Sequence, residues 1–518
     1  MSETIVKHLN FGEDARFKIF TGIDKLTKAV SSTLGASGKC VILEDAQGNP
    51  QITKDGVTVA DSITLLDPVE NMGARLLKEA ARKTVKEAGD GTTTATVLAH
   101  AILHEAYKVI KSENPRQLKE GIDNAVKKVI KYLEKTSKPV QGKGITSVAT
   151  ISANNDQVLG NIIAQAFKEV NETGIVIMET HDEPNTIVEV VDGAQYDKGL
   201  KNPHFITNAD KGTSELEDVY ILLVENKIEN IRQIQGILEF IIKGNKSLLI
   251  IADMDPNVVS ALAMNKIKGN IKINVIDAPV YGVNKLNTLQ DLSLITGATI
   301  INEDLGDDME MVTIDHLGRC NKVVTNYAET ILQRNDYIEE VEEIVKDLKV
   351  TLQKETNPTV IINLEKRIGR LSGKVAIVKV GASSEVELKE KRDRVEDAIC
   401  ATKAAIKEGI VPGGGIALLN ASNKIKTKSI SENVLLKAIQ SPYQTILENA
   451  GILEYEIPEE IGKGLNVVTG ETVNMVKSGI VDPLLVTKSA LNNAASVATT
   501  ILSTDCVINN LRANEGSR

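Results

Sequence analysis

Tryptophan is absent from this chain and aromatic residues amount to only 3% of it. Leu, Ile, Val, Ala and Met must therefore fill its cores and supply any adhesive surface. Cysteine is scarce as well. Cys40, Cys320, Cys400 and Cys506 lie far apart and form no C-x-x-C pair, so neither a structural zinc site nor a disulfide framework is signalled, and buried, reduced thiols are expected. No apolar run approaches the roughly 18–20 residues needed to cross a bilayer, which argues against a membrane protein. The first residues, Met1-Ser2-Glu3-Thr4-Ile5-Val6-Lys7, lack the layout of a signal or transit peptide, so a cytoplasmic location is expected. A basic stripe is missing too. With a net charge of -10 and a pI near 5.4, a surface held to nucleic acid by phosphate neutralisation is not expected.

What is present is length: 518 residues exceed one ordinary core of roughly 100–200 residues, so two or three domains are expected. Apolar spacing predicts a helix from Asp14 to Leu34, ending at Gly35, then a β-like run Cys40–Leu43 and a turn at Gly48-Asn49-Pro50. Gln51–Thr53 and Val57–Val59 flank Lys54-Asp55-Gly56 like the arms of a hairpin. Helices are predicted over Pro68–Ala88, Thr92–Val109 and Pro115–Lys135. Between about Ile151 and Leu371, strand-like pieces such as Gly174–Ile177, Val219–Val224 and Ser247–Ala252 alternate with helical ones, the pattern of an α/β domain. Val341–Leu371 reads as a helical hairpin, Val375–Gly381 as a strand, Glu385–Glu408 as a charged helix, and the remainder to Asn510 as mainly helical. Helical first and last sections would suit ends that fold together around an inserted α/β middle.

The chemistry concentrates at Gly89-Asp90-Gly91-Thr92-Thr93-Thr94, directly before the helix-forming Ala95–Leu103. The first N–H groups of a helix lack internal partners and carry its positive dipole end, which suits phosphate oxygens. The glycines permit close approach, the hydroxyls can donate to phosphate or ligate a monovalent cation, and Asp90 offers the hard oxygen that Mg²⁺ prefers. The plainer alternative is an ordinary N-cap, but three threonines exceed what a cap needs. No Walker motif, G-x-G-x-x-G or H-E-x-x-H is present, which disfavours P-loop enzymes, Rossmann enzymes and zincins. Thr33-Leu34-Gly35 and Gly413-Gly414-Gly415 are further candidate phosphate turns, each of which could equally terminate a helix. Asp55 and Asp397 are candidates for orienting a hydrolytic water, with a turn former and a solvated helix residue as the bland alternatives. His100 and His104 share an i, i+4 spacing without further ligands and read as helix packing.

Together these elements resemble a group I, GroEL-like chaperonin over nearly the whole chain. The resemblance is carried by Phe11–Arg16, Thr33–Gly35, Ile52–Val57, Glu70–Ala74, Ala88–Ala99, Ile151–Asn154, Arg394–Ala398, Gly413–Gly415 and Ala494–Ala498. It implies a multidomain α and α/β fold. Its parts are an equatorial domain of residues 1–136 and 408–518, an intermediate hinge domain of 137–191 and 376–407, and an apical substrate-binding domain of 192–375. It further implies an ATPase in which Asp90 ligates Mg²⁺, Gly91, Thr92, Thr93 and Thr94 hold phosphates, and Thr33, Lys54 and Thr93 serve K⁺. Asp55 and Asp397 would orient the attacking water, while Leu34, Gly35, Ser152, Gly414, Asn466, Val467, Ile480 and Asp482 would contact the nucleotide. The corresponding client-binding positions are Leu200, His204, Phe205, Gln235, Leu238, Val259, Ala263 and Met264, whose exposed apolar groups would attract unfolded polypeptides.

The implied assembly is a homo-oligomeric ring of about seven subunits. Single or double ring, and the need for a GroES-like co-chaperonin, stay open. The chain departs from the family pattern at His204 and Gln235, at Ala36 in place of proline, in the shortened stretch Leu447–Lys463, and at the end Arg512–Arg518, which lacks a Gly/Met-rich tail. An ATPase-silent ring scaffold is the alternative, against which the presence of Asp55, Asp90 and Asp397 speaks. A small-molecule phosphotransferase is a second alternative, disfavoured by the missing motifs and the large middle section.

Overall fold

The computed structural model describes residues 7–510 except 45–47, 111–112, 141, 171–174, 182, 197, 210, 279–282, 335–338, 355–359, 361–363, 365–366, 369, 372, 456 and 459. Along the chain, β1 (Lys7–Phe11) leads into α1 (Gly12–Ser31), strands β2 (Val41–Glu44) and β3 (Pro50–Thr53), and helices α2 (Gly56–Ser62), α3 (Pro68–Ala88), α4 (Thr92–Val109), α5 (Pro115–Thr136), α6 (Lys143–Ser152) and α7 (Gln157–Val170). The middle holds β4 (Ile175–Thr180), β5 (Ile187–Tyr196), β6 (Ser214–Val224), α8 (Gln235–Lys243), β7 (Ser247–Ile251), α9 (Pro256–Ile267), β8 (Lys272–Ile276), α10 (Val283–Thr296), β9 (Ile300–Ile301), β10 (Gly318–Thr325), β11 (Thr330–Arg334), α11 (Glu339–Lys354) and β12 (Lys374–Val380). The last part comprises α12 (Glu385–Glu408), β13 (Ile410–Pro412), α13 (Ile416–Lys424), α14 (Ile430–Ala438), α15 (Ser441–Asn449), β14 (Lys463–Asn466), β15 (Glu471–Asn474), β16 (Val481–Pro483), α16 (Leu484–Leu502) and β17 (Cys506–Asn510).

Two compact units result. The first joins Met1–Ala164, Thr180–Ile187 and Val380–Arg518, and the second joins Gln165–Glu179 and Val188–Lys379. In the first, α1, α3, α4, α5, α14 and α16 bury one contiguous core that includes Ile23, Leu26, Leu77, Leu98, Ile102, Leu118, Ile122, Leu435 and Leu491. Each such side chain removed from water stabilises the fold by about 1.5–3 kcal/mol before ordering costs. Asp67 and Asn114 cap α3 and α5 by accepting from backbone N–H groups, each just before a proline, which explains why those starts were readable. β1 and β17 pair antiparallel, Lys7 opposite Asn510 and Phe11 opposite Cys506, so the first and last described strands share one seam.

The second unit is built on a mixed sheet of order β4-β12-β5-β11-β10-β6-β7-β8, with β9 also on β6. β6, β7 and β8 run parallel through crossover helices α8 and α9, whereas β5, β11, β10 and β6 alternate in direction. The strands Ser247–Ile251 and Lys272–Ile276 are nearly all buried, as parallel strands covered on both faces must be.

Several expectations need correction. Val57–Val59 form no hairpin arm; they are helical in α2, and β3 pairs instead with β2, Val41 opposite Thr53. Gly413–Gly415 terminates no helix, since it joins β13 to the start of α13. The last section is not purely helical, because β14 and β15 pair and β17 closes on β1. Of the four thiols only Cys320 is buried; Cys40 is exposed, and Cys400 and Cys506 are half-buried. α11 supplies the first arm of the Val341–Leu371 hairpin, and the described residues between 360 and 371 are helical where the second arm was expected. Gly174 and the end Arg512–Arg518 lie outside the described residues.

Candidate functional site

The first unit contains a cavity of about 1380 Å³. One wall is the junction of α3 and α4. Gly89 ends α3 at φ 72 and Gly91 caps α4 at φ 94, both in the left-handed region, and no side chain caps the α4 N-terminus. A Cβ on Gly89 would stand 2.4 Å from Cys400 Cβ, and one on Gly91 would stand 2.7 Å from Val486 Cγ1. Glycine is therefore demanded twice at each place, by backbone conformation and by packing. Asp90 sits between them. The three threonines diverge: Thr94 lines the cavity, Thr92 is buried with its carbonyl accepting from Thr96 Oγ1, and Thr93 stands behind with Oγ1 3.4 Å from Thr33 Oγ1.

Two further turns face the same space. Thr33-Leu34-Gly35 follows α1, and Gly414-Gly415 opens α13, again without a side-chain cap. Asp482 of β16, opposite Val411 of β13, accepts from the Gly414 and Gly415 N–H groups. Burial and the nearby Asp90 nevertheless push its carboxyl up to about 7. Ser152, Asn466, Val467 and Ile480 also line the cavity, as do Lys54, Asp55 and Asp397. Of the nucleotide-end residues singled out from sequence, Thr92 and Thr93 stand outside the lining, as do Gly89 and Gly413 of the glycine turns.

Asp55 is neither a free turn residue nor a bare carboxylate. It caps α2, accepting from Val57 N at 3.1 Å, Thr58 N at 2.8 Å and Thr58 Oγ1 at 2.7 Å. Asp397 comes from the middle of α12, which packs on α6 and α16. Burial, then the charges of Asp90, Asp55, Glu396 and Asp393, raise its carboxyl well above the usual range. Burial also raises Asp90, with Asp55 adding to it and the Gly91 N–H opposing it, and raises Asp393, one helical turn before Asp397. Two of the lining cations are held by neighbouring side chains. Lys54 Nζ donates to Asn154 Oδ1 at 2.7 Å, and Arg394 pairs with Glu390 at 2.6 Å and Asp156 at 3.5 Å.

Crowded carboxylates beside uncapped helix N-termini make a site that favours an anion bearing its own cations. Asp90 offers one hard oxygen to such a cation. Among the described residues no three His, Cys, Asp or Glu side chains gather to hold a metal alone. That donor set fits a metal that keeps waters and phosphate oxygens as its other ligands. Sequence reasoning missed Asp393, which the i, i+4 spacing to Asp397 could have found, and Tyr443 and Ile446, which nothing in the short, mixed sequence of α15 marks.

The candidate client-binding residues, in the second unit, depart from expectation. Phe205 is 0% exposed, Ala263 1%, Val259 5% and Leu238 8%, all packed in one core cluster. They hold α8 and α9 against the sheet and offer no apolar surface. Leu200 is partly buried against that cluster, His204 and Gln235 are exposed, and Met264 is 53% exposed. The open apolar surface on α8 and α9 is supplied by Met264 together with Ile242 and Ile267. His100 Nε2 donates to Asp24 Oδ1 at 3.3 Å and the ring stacks on Phe20, a packing role.

The sequence profile described as the TCP-1/cpn60 chaperonin family matches residues 26–512. Among solved structures, the chain is similar to the chaperonin gp146 of bacteriophage EL 2 (Pseudomonas aeruginosa), crystallised in the presence of ATP-BeFx. In one crystal form the TM-score is 0.71 at 22% identity, covering 99% of this chain and 100% of that one. In a second form it is 0.66 at 22% identity, covering 97% and 99%. No helix among the described residues is long and apolar enough to cross a membrane.

Proposed function

The chain belongs to the TCP-1/cpn60 chaperonin family, and from that membership and the cavity of the first unit we propose an ATP-hydrolysing chaperonin that binds unfolded polypeptides and promotes their folding. One observation carries the reading: α12 brings Asp397 into the same cavity as Asp55, Asp90 and the uncapped start of α4.

In this proposal the α4 and α13 N-termini receive the triphosphate, with Gly91, Thr94 and Gly414 nearest and Thr92 and Thr93 supporting the turn. Asp90 would hold Mg²⁺, and Thr33, Lys54 and Thr93 would hold K⁺; bound there, the cations neutralise phosphate charge and relieve the carboxylate crowding. Asp397, made more basic by burial and like charge, accepts a hydrogen bond from the attacking water and can take its proton. Asp55, already accepting three hydrogen bonds, has a smaller share in that task and orients the water from a fixed cap. Leu34, Gly35, Ser152, Asn466, Val467, Ile480 and Asp482 surround the nucleotide.

We assign residues 1–136 and 408–518 to an equatorial domain, 137–191 and 376–407 to a hinge, and 192–375 to an apical domain. Carrying Asp397 on the hinge would make hydrolysis depend on its closure. The assembly is a cytoplasmic ring of about seven copies, served by a co-chaperonin if one is required. Clients would meet Leu200, His204, Gln235 and Met264 on α8, α9 and the preceding turn.

The test is ATP turnover by the purified chain together with suppression of aggregation of a denatured client, with and without ATP. Turnover coupled to client release is expected. ATP binding without turnover would overturn the ATPase in favour of a ring scaffold, and failure to hold the client would overturn the folding role.

A further inference from the structure

Helix α15 is short, and one of its faces reads Tyr443, Ile446, Asn449, at three-residue steps. Each meets the back of a glycine turn of the nucleotide cavity. The Tyr443 backbone N and Cα would stand 2.6 and 3.0 Å from a Cβ on Gly415. Ile446 Cγ1 and Cγ2 would stand 3.0 and 3.1 Å from a Cβ on Gly35, whose φ is +84°. Asn449 donates through one carboxamide nitrogen to Ser31 O at 2.8 Å and to Leu34 O at 2.9 Å. Ser31 O, at the end of α1, also accepts from Leu34 N at 3.1 Å, so Asn449 reinforces a turn bond already made, and Leu34 O belongs to the turn itself.

Tyr443 and Ile446 reach the cavity wall, whereas Asn449 stands outside the lining. α15 thus spans from the Gly413–Gly415 turn to the Thr33–Gly35 turn, and its last residue ties down the second of them from behind. We propose that Asn449 is a positioning residue that sets the affinity for ATP without touching it, by fixing the Thr33–Gly35 turn at the separation from Gly415 that α15 imposes. The inference rests on the reading of the cavity as an ATP site.

Removing both hydrogen bonds from the turn is expected to weaken binding about tenfold. Binding of ATP to the purified, assembled chain is measured by calorimetry, and kcat and KM by steady-state hydrolysis. The variants are Asn449→Ala, Asn449→Asp, which keeps the size but loses both donors, and Ile446→Ala, which weakens packing behind Gly35. Asn449→Ala and Asn449→Asp are expected to raise Kd about tenfold with kcat at saturation changed less than about twofold, and Ile446→Ala to raise Kd about threefold. Should Asn449→Ala not assemble, the other two decide the matter. Unchanged Kd in the Asn449 variants, or a loss in Asn449→Ala that Asn449→Asp does not share, overturns the positioning role alone. Absence of ATP binding by the unaltered chain overturns the nucleotide reading and this role with it.

Discussion

The cavity of the first unit and the α8 and α9 surface of the second are built on opposite principles. The cavity is made of backbone: glycine turns, uncapped helix starts, and a few carboxylates fixed by the helices that carry them. The α8 and α9 surface is made of side-chain chemistry on helices that bury one face and carry exposed Ile242, Met264 and Ile267 on the other. Geometry of the first kind tolerates little change at particular residues, whereas the second tolerates exchange of one apolar group for another. The first should therefore fail sharply under single substitutions and the second gradually, unless the substitution reaches the core beneath it.

The largest effect that would test this contrast is at Asp397. Asp397→Ala is expected to lower kcat for ATP hydrolysis by about 10²–10³-fold with nucleotide Kd nearly unchanged, since the group acts on water. Turnover near that of the unaltered chain would remove Asp397 from the chemistry. Next comes Leu238→Ser, which places a hydroxyl in a packed cluster; it should lower the stability of the second unit by about 2–4 kcal/mol by denaturant titration. The exposed Met264→Ser should instead reduce client capture while moving stability by less than about 0.5 kcal/mol. If Met264→Ser leaves client capture intact, the client surface lies elsewhere.

Asp90→Ala should weaken Mg-ATP binding about tenfold or more by calorimetry, with the fold retained. The smallest effect concerns Asp482. Its folded-state carboxyl is raised to about 7 from 3.8, so its contribution to stability is present below 3.8 and is lost as pH rises through that window. Against Asp482→Asn, the nucleotide-free chain should lose melting temperature between about pH 5 and about pH 7.5, and a constant difference across that range would refute the shift.

The same contrast explains what the sequence made legible. The spans of α3, α4 and α5 could be read because Asp67, Gly91 and Asn114 mark their starts, two of them with a following proline. The glycine turns that line the cavity stand out in the sequence because Gly35, Gly91, Gly414 and Gly415 all take the left-handed backbone that favours glycine. Lys54-Asp55-Gly56 reads as a turn between hairpin arms because a carboxylate before glycine suits a turn and a helix cap alike, and only the β2–β3 pairing decides between them. The burial of Phe205, Leu238, Val259 and Ala263 was illegible for a different reason: an apolar helix face looks the same whether it meets a core or a client. α15 went unnoticed since Asn449 matters through two carbonyls more than 400 residues earlier in the chain.

The β1–β17 seam has a mechanical consequence. Lys7 and Asn510 face each other at one end of five paired residues. A load pulling those two points apart acts across the ladder at its free end, so the pairs open in turn, Lys7–Asn510 first and Phe11–Cys506 last. The seam is a zip, weak to tension drawn between its own ends and stronger to a pull along the strands. Traction on the two ends should therefore part the strands before it disturbs the helices they border.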